Sequence, residues 1–288
     1  MIVLNSLESR GGFISTMSQF LDEAGLALFW KKIQDKLPYD NQTVAEKNTQ
    51  LVEKDITSMY EDGSLFENIK NGSFDGINPG NYFNARLKTS DGDTTNASLL
   101  VLELDRYYGK SDNIGNSKTE HHIVVTFKEL PDNSVLTMNS SNTNNGGYVG
   151  SYLFKSIFPV IDSGLQLSFG DHLKIVSLNL SNTGYDQKPY TYVNTIVRSY
   201  LFTEYELFGK IICDDEKYTA YPQYAAFKLD SSLITNGMFY WERSIPGFDT
   251  SFCRVIYDYN PRKNFYYASS EPLTASSTTG LRFGFLLG

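Results

Sequence analysis

His121 and His122 stand side by side in "HHIVV", and His172 is the third histidine of the chain. Neighbours on a strand point to opposite faces, so His121 and His122 are not expected on one metal ion. Cys213 and Cys253 allow one bridge and no disulfide framework. No HExxH, CxxC, phosphate loop or GxSxG occurs. The carboxylates of "YEDGS" and "DGD" are of the kind that form solvated turns. A calcium site needs several oxygen ligands on one ion, and Glu271 in "SSEPLT" has no second acidic cluster near it in sequence. The expectation is a protein that is not an enzyme and holds no catalytic residue, metal or cofactor.

The chemistry on offer is recognition. The chain holds 20 Tyr and 19 Phe but only 20% charged residues. Tyr combines a large flat face with a polar tip, which suits a binding surface as well as a β-rich core. These residues crowd the last segment, "YWERSIPGFDTSFCRVIYDYNPRKNFYYASSEPLTASSTTGLRFGFLLG". Candidate ligand contacts are Phe248, Asp249, Phe252, Arg254, Tyr257, Tyr259, Asn264, Tyr266 and Tyr267. Cys253 and Val255 are expected to face inward, with Ala268 as a tight support. The ends of the segment, Trp241-Glu242-Arg243-Ser244 and Gly280-Leu281-Arg282-Phe283, read as a structural frame, with Trp241 and Phe285 in the core. The Asn-rich loop 139–147 is the other place where a receptor surface could lie.

The elements that must position this segment are uneven in clarity. In "LDEAGLALFWKKIQDKLP", Leu26, Phe29, Trp30, Ile33 and Leu37 form one apolar stripe at helical spacing. Asp22 is placed to cap this helix and Pro38 ends it. Such a stripe must be covered, and these five residues are the candidate oligomerisation contacts. The next stretch is polar; Val44, Leu51 and Asp55 or Ile56 give a broken seven-residue spacing, readable as a short linker or a coiled-coil stalk. From Ser73 onward, Gly- and Pro-marked turns separate short strand-like pieces, among them "SLLVLELDRYYG", "HHIVVTFKELP", "HLKIVSLNL" and "YTYVNTIVRSYLF". A helix carrying Tyr152, Phe154 and Ile157 follows the Asn-rich loop. The fold class is α+β. Three regions are expected: an extension 1–16 (Met17 being a second possible start), an attachment and oligomerisation region 17–72, and a ligand-binding domain 73–288 whose last part is 240–288.

Net charge is −8, which argues against nucleic-acid binding as the main task. No apolar run reaches membrane-spanning length and no signal peptide is legible, so no membrane insertion is expected.

"LDEAGLALFWKKIQDKL" resembles the helix near the start of many tail proteins of gut bacteriophages and prophages. "GINPGNYF", "HHIVV", "MNSSNTNNGGYVGSYLF", "FTEYELFGK", "YPQYAAFK" and "YWERS…GLRFGFLL" follow in the order expected of a family of such proteins. Its C-terminal domain resembles the C-type-lectin fold, shared with formylglycine-generating enzymes and with the variable proteins of diversity-generating retroelements. The resemblance spans 18–288. It implies a virion tail protein for host adhesion, a homo-oligomer with a trimer among the options, that displays a variable surface near its C-terminus. Its partners would be a glycan or protein receptor on the host cell and other tail proteins. The ending departs from the usual Gly-Val-Arg-Pro-Ala-Phe: here Gly280-Leu281-Arg282-Phe283-Gly284-Phe285 stands. The paired cysteines or histidine set of the enzymes do not match. A tail component without ligand, or an enzyme of the formylglycine-generating type, are the alternative readings.

Overall fold

The computed structural model describes residues 42–89, 91–110, 118–129, 135–212, 221–235, 239–246, 249–260 and 265–288, with backbone alone at 258–260 and 265–267. The expected helix 22–37, with Leu26, Phe29, Trp30, Ile33 and Leu37, lies outside the described residues, as does the extension 1–16.

An antiparallel sheet organises the core. It runs β1 (Tyr82–Lys88), β2 (Thr94–Leu104), β3 (Ile123–Phe127), β13 (Gly284–Leu287), β5 (Leu173–Lys174), and β8 (Ser199–Tyr200) also pairs with β13. Sequence pattern tracks position. In edge strand β1, Phe83, Ala85 and Leu87 are buried while Asn84, Arg86 and Lys88 are exposed, the alternation of a half-covered strand. The continuous apolar runs of β3 and β13 are buried on both faces. β13 is therefore the centre of the sheet although it is last in sequence. Phe285 and Leu286 pair with Val125 and Val124 on one side, and Leu286 and Leu287 with Lys174 and Leu173 on the other. Gly284 opens β13 because a Cβ there would fall 2.8 Å from the Phe202 ring.

The main helix, α5 (Phe158–Phe169), lays Phe158, Leu165 and Phe169 on this sheet. It approaches the end of β1 so closely that a Cβ at Gly164 would sit 2.6 Å from the Lys88 carbonyl oxygen. A π-helical turn, Leu153–Ile157, leads into it, and Pro159 falls in its first turn, where no N–H partner is required. The helix expected around Tyr152, Phe154 and Ile157 is thus present and runs on to Phe169.

Residues 42–72 differ from their reading as linker or stalk. They belong to the same compact unit as the rest of the described chain. α1 (Val44–Lys47) begins with a capping box between Thr43 and Glu46. Asn48 bonds Leu104 twice, through its Nδ2 to the carbonyl oxygen (2.9 Å) and from the Leu104 N–H to its Oδ1 (3.0 Å). Ile56, with Leu65 and Ile69 of α3 (Ser64–Lys70), is buried in the core. The physical reason is scarcity: a coiled coil needs a sustained apolar seam, and these few apolar residues are covered by the sheet instead. Among the described residues no helix is long and apolar enough to cross a membrane.

Beside the sheet lies a buried polar cluster. The Glu206 carboxylate, in α6 (Glu204–Phe208), takes a 2.9 Å contact from Arg243 and stands 3.9 Å from Arg106. Arg106 also bonds Glu103 at 2.5 Å and the Pro222 carbonyl oxygen at 2.5 Å, and lies over the Tyr224 ring at 3.7 Å. The Tyr107, Tyr200 and Tyr224 hydroxyls meet at 3.0, 2.9 and 3.4 Å. Burial pushes all three phenols above their ordinary range, so they act as neutral hydrogen-bonding groups.

Two outcomes check this account. Glu206→Ala leaves Arg106 and Arg243 buried with less counter-charge and should cost roughly 3–5 kcal/mol, read as a lowered urea midpoint. Phe285→Ala, at the centre of the sheet, should cost about 3–5 kcal/mol; an unchanged midpoint would show that β13 is not central.

Candidate functional site

The last segment is closed at its base. β9 (Tyr240–Trp241) meets the other end of the segment through a parallel bridge from Tyr240 to Gly280. The Trp241 N–H donates to the Gly280 carbonyl oxygen at 3.1 Å, and the Gly280 N–H to that of Phe239 at 3.1 Å. Side chains lock both ends. Trp241 is fully buried and its Nε1 donates to the Leu136 carbonyl oxygen at 2.7 Å. Arg282 is buried between the rings of Phe227 and Tyr240 and donates to the carbonyl oxygens of Leu233 and Ile234 at 2.7 and 2.6 Å. Arg243 donates to the Leu201 carbonyl oxygen and to Glu206. The Ser244 hydroxyl accepts the Glu204 N–H at 3.0 Å. The expected frame is therefore a tie between the segment and the core, with Trp241 and Phe285 buried as read from sequence.

From this base β10 (Phe252–Asn260) and β11 (Phe265–Leu273) run out as an antiparallel hairpin. β10 has a second neighbour only at its start, where Arg254 and Val255 pair with Trp241 and Tyr240. Beyond Val255, β11 is its only strand partner among the described residues. Pairing puts Tyr257 opposite Ala268, Asp258 opposite Tyr267 and Tyr259 opposite Tyr266.

The candidate contacts separate accordingly. Cys253 and Val255 are fully buried, as expected of the inward set, and Ala268 is half-buried against the core. Phe252 is also fully buried, which corrects its place among the contacts: the start of β10 lies under the body, so both of its faces are covered. Asp249 is half-buried, with its Oδ1 taking the Ser251 N–H at 2.7 Å. Arg254 is partly exposed and places Nε and Nη2 on one Glu271 oxygen at 2.9 and 2.5 Å. The exposed Phe239 ring lies 5.5 Å from its guanidinium. Tyr257 is exposed. Strand alternation puts Arg254 and Tyr257 on opposite faces of the hairpin, so together they do not form one flat patch. Phe248 and Asn264, and the side chains of Tyr259, Tyr266 and Tyr267, lie outside the described residues.

The Asn-rich loop supports the segment from below. Buried Asn144 donates to the carbonyl oxygens of Asp249 and Ser251 at 3.2 and 2.8 Å, and its Oδ1 accepts the Tyr185 N–H at 3.0 Å. The Asn142 Oδ1 accepts the Ala275 N–H at 3.1 Å, and the Asn139 N–H donates to the Ala275 carbonyl oxygen at 2.8 Å. Loop 139–147 thus holds both ends of the hairpin. Sequence offered only the amide richness as a signal, and amides bond backbone as readily as ligands.

The adjacent histidines have unlike surroundings. His122 is fully buried; its Nδ1 donates to the Glu120 carbonyl oxygen at 3.0 Å and its Nε2 accepts the Tyr107 N–H at 3.2 Å. Acceptance at Nε2 requires the neutral ring, and burial lowers its pKa to about 4. His121 is partly exposed and bonds Asp105. Cys213 lies outside the described residues. Among the described residues no group of three or more His, Cys, Asp or Glu is placed to hold a metal ion.

Compared with protein-family models, with curated proteins and with solved structures, the chain matches none.

His122 generates a pH prediction. Its ordinary value is 6.5 and its folded value about 4, so between these the unfolded chain takes up a proton that the folded chain refuses. Stability should therefore fall as pH drops through that window, by on the order of 3 kcal/mol from this group. His122→Gln should lose this part of the slope in urea midpoints between pH 7 and 4.5. Asp105, raised by burial, acts in the opposite sense, so the readout is the difference between the two proteins and not the total slope.

Proposed function

We propose that the chain is a receptor-binding protein of a phage tail whose ligand surface is the β10–β11 hairpin, carried on a C-type-lectin-like fold. The observation that carries this reading is the closed base with an aromatic-rich hairpin beyond it. Trp241, Gly280 and Arg282 fix the two ends of the segment on the core. The hairpin then extends past its last contact with β9, where its two strands pair with each other alone among the described strands. That division between a fixed base and a permissive tip is what a displayed, retroelement-diversified surface requires. Tyr and Arg supply contact area at low entropic cost, and the Asp and Asn of "IYDYNPRKN" add directional bonds. The receptor is a host-surface glycan or protein, reached at the end and on the two faces of the hairpin. Oligomerisation and attachment to other tail proteins are assigned to the 22–37 stripe.

The test is host-cell binding by the full chain with Arg254→Ala and Tyr257→Ala combined. The Arg254–Glu271 pair is partly exposed, and such pairs contribute at most about 1 kcal/mol, so melting should change little. Binding should fall at least tenfold. Full binding by a normally melting double variant overturns the reading.

A further inference from the structure

We propose that a second cleft, outside the hairpin, binds a small zwitterionic ligand, of which a free α-amino acid is the simplest form. The cleft of ≈ 630 Å³ is lined by α3 residues Phe66, Glu67 and Lys70, by Glu120 and His121 before β3, and by Asp171, His172 and Lys174 around β5, with Gly63, Thr119 and Gly288 completing it.

Two imidazoles are built into it with the same polarity. His121 Nδ1 is held 2.6 Å from Asp105 Oδ2, and its ring stacks on Tyr108 at 4.3 Å between centroids. The support is specialised. Asp105 is not glycine yet has φ +53°, a left-handed conformation that such residues rarely hold. Its other carboxylate oxygen takes the His122 N–H at 2.9 Å. Gly72 makes room for the ring, since a Cβ there would fall 2.5 Å from His121 Nε2. His172 Nδ1 is 3.1 Å from the Gly288 carbonyl oxygen, and its ring stacks on Phe66 at 3.8 Å. With both Nδ1 atoms anchored as donors, each Nε2 is left without a hydrogen bond among the described residues.

The charges around these rings are of both signs. Glu120 is held by Lys118 at 3.1 Å and Lys174 at 3.5 Å. Glu67, Lys70 and Asp171 form no ion pair among the described residues. A bare anion would meet Glu67 and Asp171, and a bare cation would meet Lys70 and Lys174. A ligand with an ammonium and a carboxylate answers both sets, and the Phe66–His172 stack offers its side chain an apolar wall.

The experiment is calorimetric titration of the full chain at pH 7 with the twenty free amino acids, and then with the N-acetyl and amide forms of any that bind. The expected result is saturable one-site binding by at least one amino acid, weakened at least tenfold by capping either end. Lys70→Ala and Asp171→Asn, both exposed, should weaken it similarly with unchanged melting. Arg254→Ala with Tyr257→Ala should leave it unchanged, so it stands or falls apart from host adhesion. No binding at millimolar ligand, equal binding by capped forms, or indifference to both cleft variants would each overturn the proposal.

Discussion

The structure depends on one carboxylate held between two buried arginines. Glu206 Oε1 takes Arg243, while Glu206 Oε2 takes the Thr203 N–H at 2.9 Å and so caps its own helix. Arg243 belongs to the entry of the last segment, and Arg106 to the corner after β2. One side chain therefore ties the hairpin base, a helix start and the central sheet. A buried charge is costly without its counter-charge, so the arrangement tolerates few geometries. The three tyrosine hydroxyls beside it add to this selectivity, because each needs the other two at bonding distance.

That constraint explains how a segment whose own small sheet, β9 to β11, stands apart from the central one is anchored to it. Strand pairing ties the 240–280 segment to the rest of the fold over two residues, Thr278 and Thr279, opposite Thr137 and Leu136. The rest of the anchoring comes from backbone pairing at Gly280 and from side chains that reach main-chain carbonyls: Trp241 to Leu136, Arg282 to Leu233 and Ile234, Asn144 to Asp249 and Ser251. Bonds to backbone do not depend on the partner's residue type. Beyond this base β10 pairs with β11 alone among the described strands, with Ala268 packed against the core.

The two histidines of "HHIVV" show how one residue of offset separates roles. His122 points into the core, stays neutral and completes the turn at Tyr107. His121 points to a surface cleft and is oriented by Asp105, which also takes the His122 N–H. The left-handed Asp105 serves both, and its two carboxylate oxygens are fixed by these two neighbours.

Sequence by itself determined the strands and the frame. "HHIVVTFKELP" marked β3 and the apolar closing residues marked β13, and Trp241 with Phe285 stood out as core because one sits at the hinge of the framed segment and the other in that closing strand. The inward turn of Cys253 and Val255 followed from period two alone. Only tertiary structure decided that Phe252 is covered on the opposite face as well, that residues 42–72 pack into the body rather than form a stalk, and that the Asn-rich loop is a support. Each of these depends on what lies on the far side of the residue, and periodicity describes only the near side. The ion cluster was equally illegible, since Glu103, Arg106, Glu206 and Arg243 meet only after β2, α6 and the hairpin base have been brought together by the apolar core.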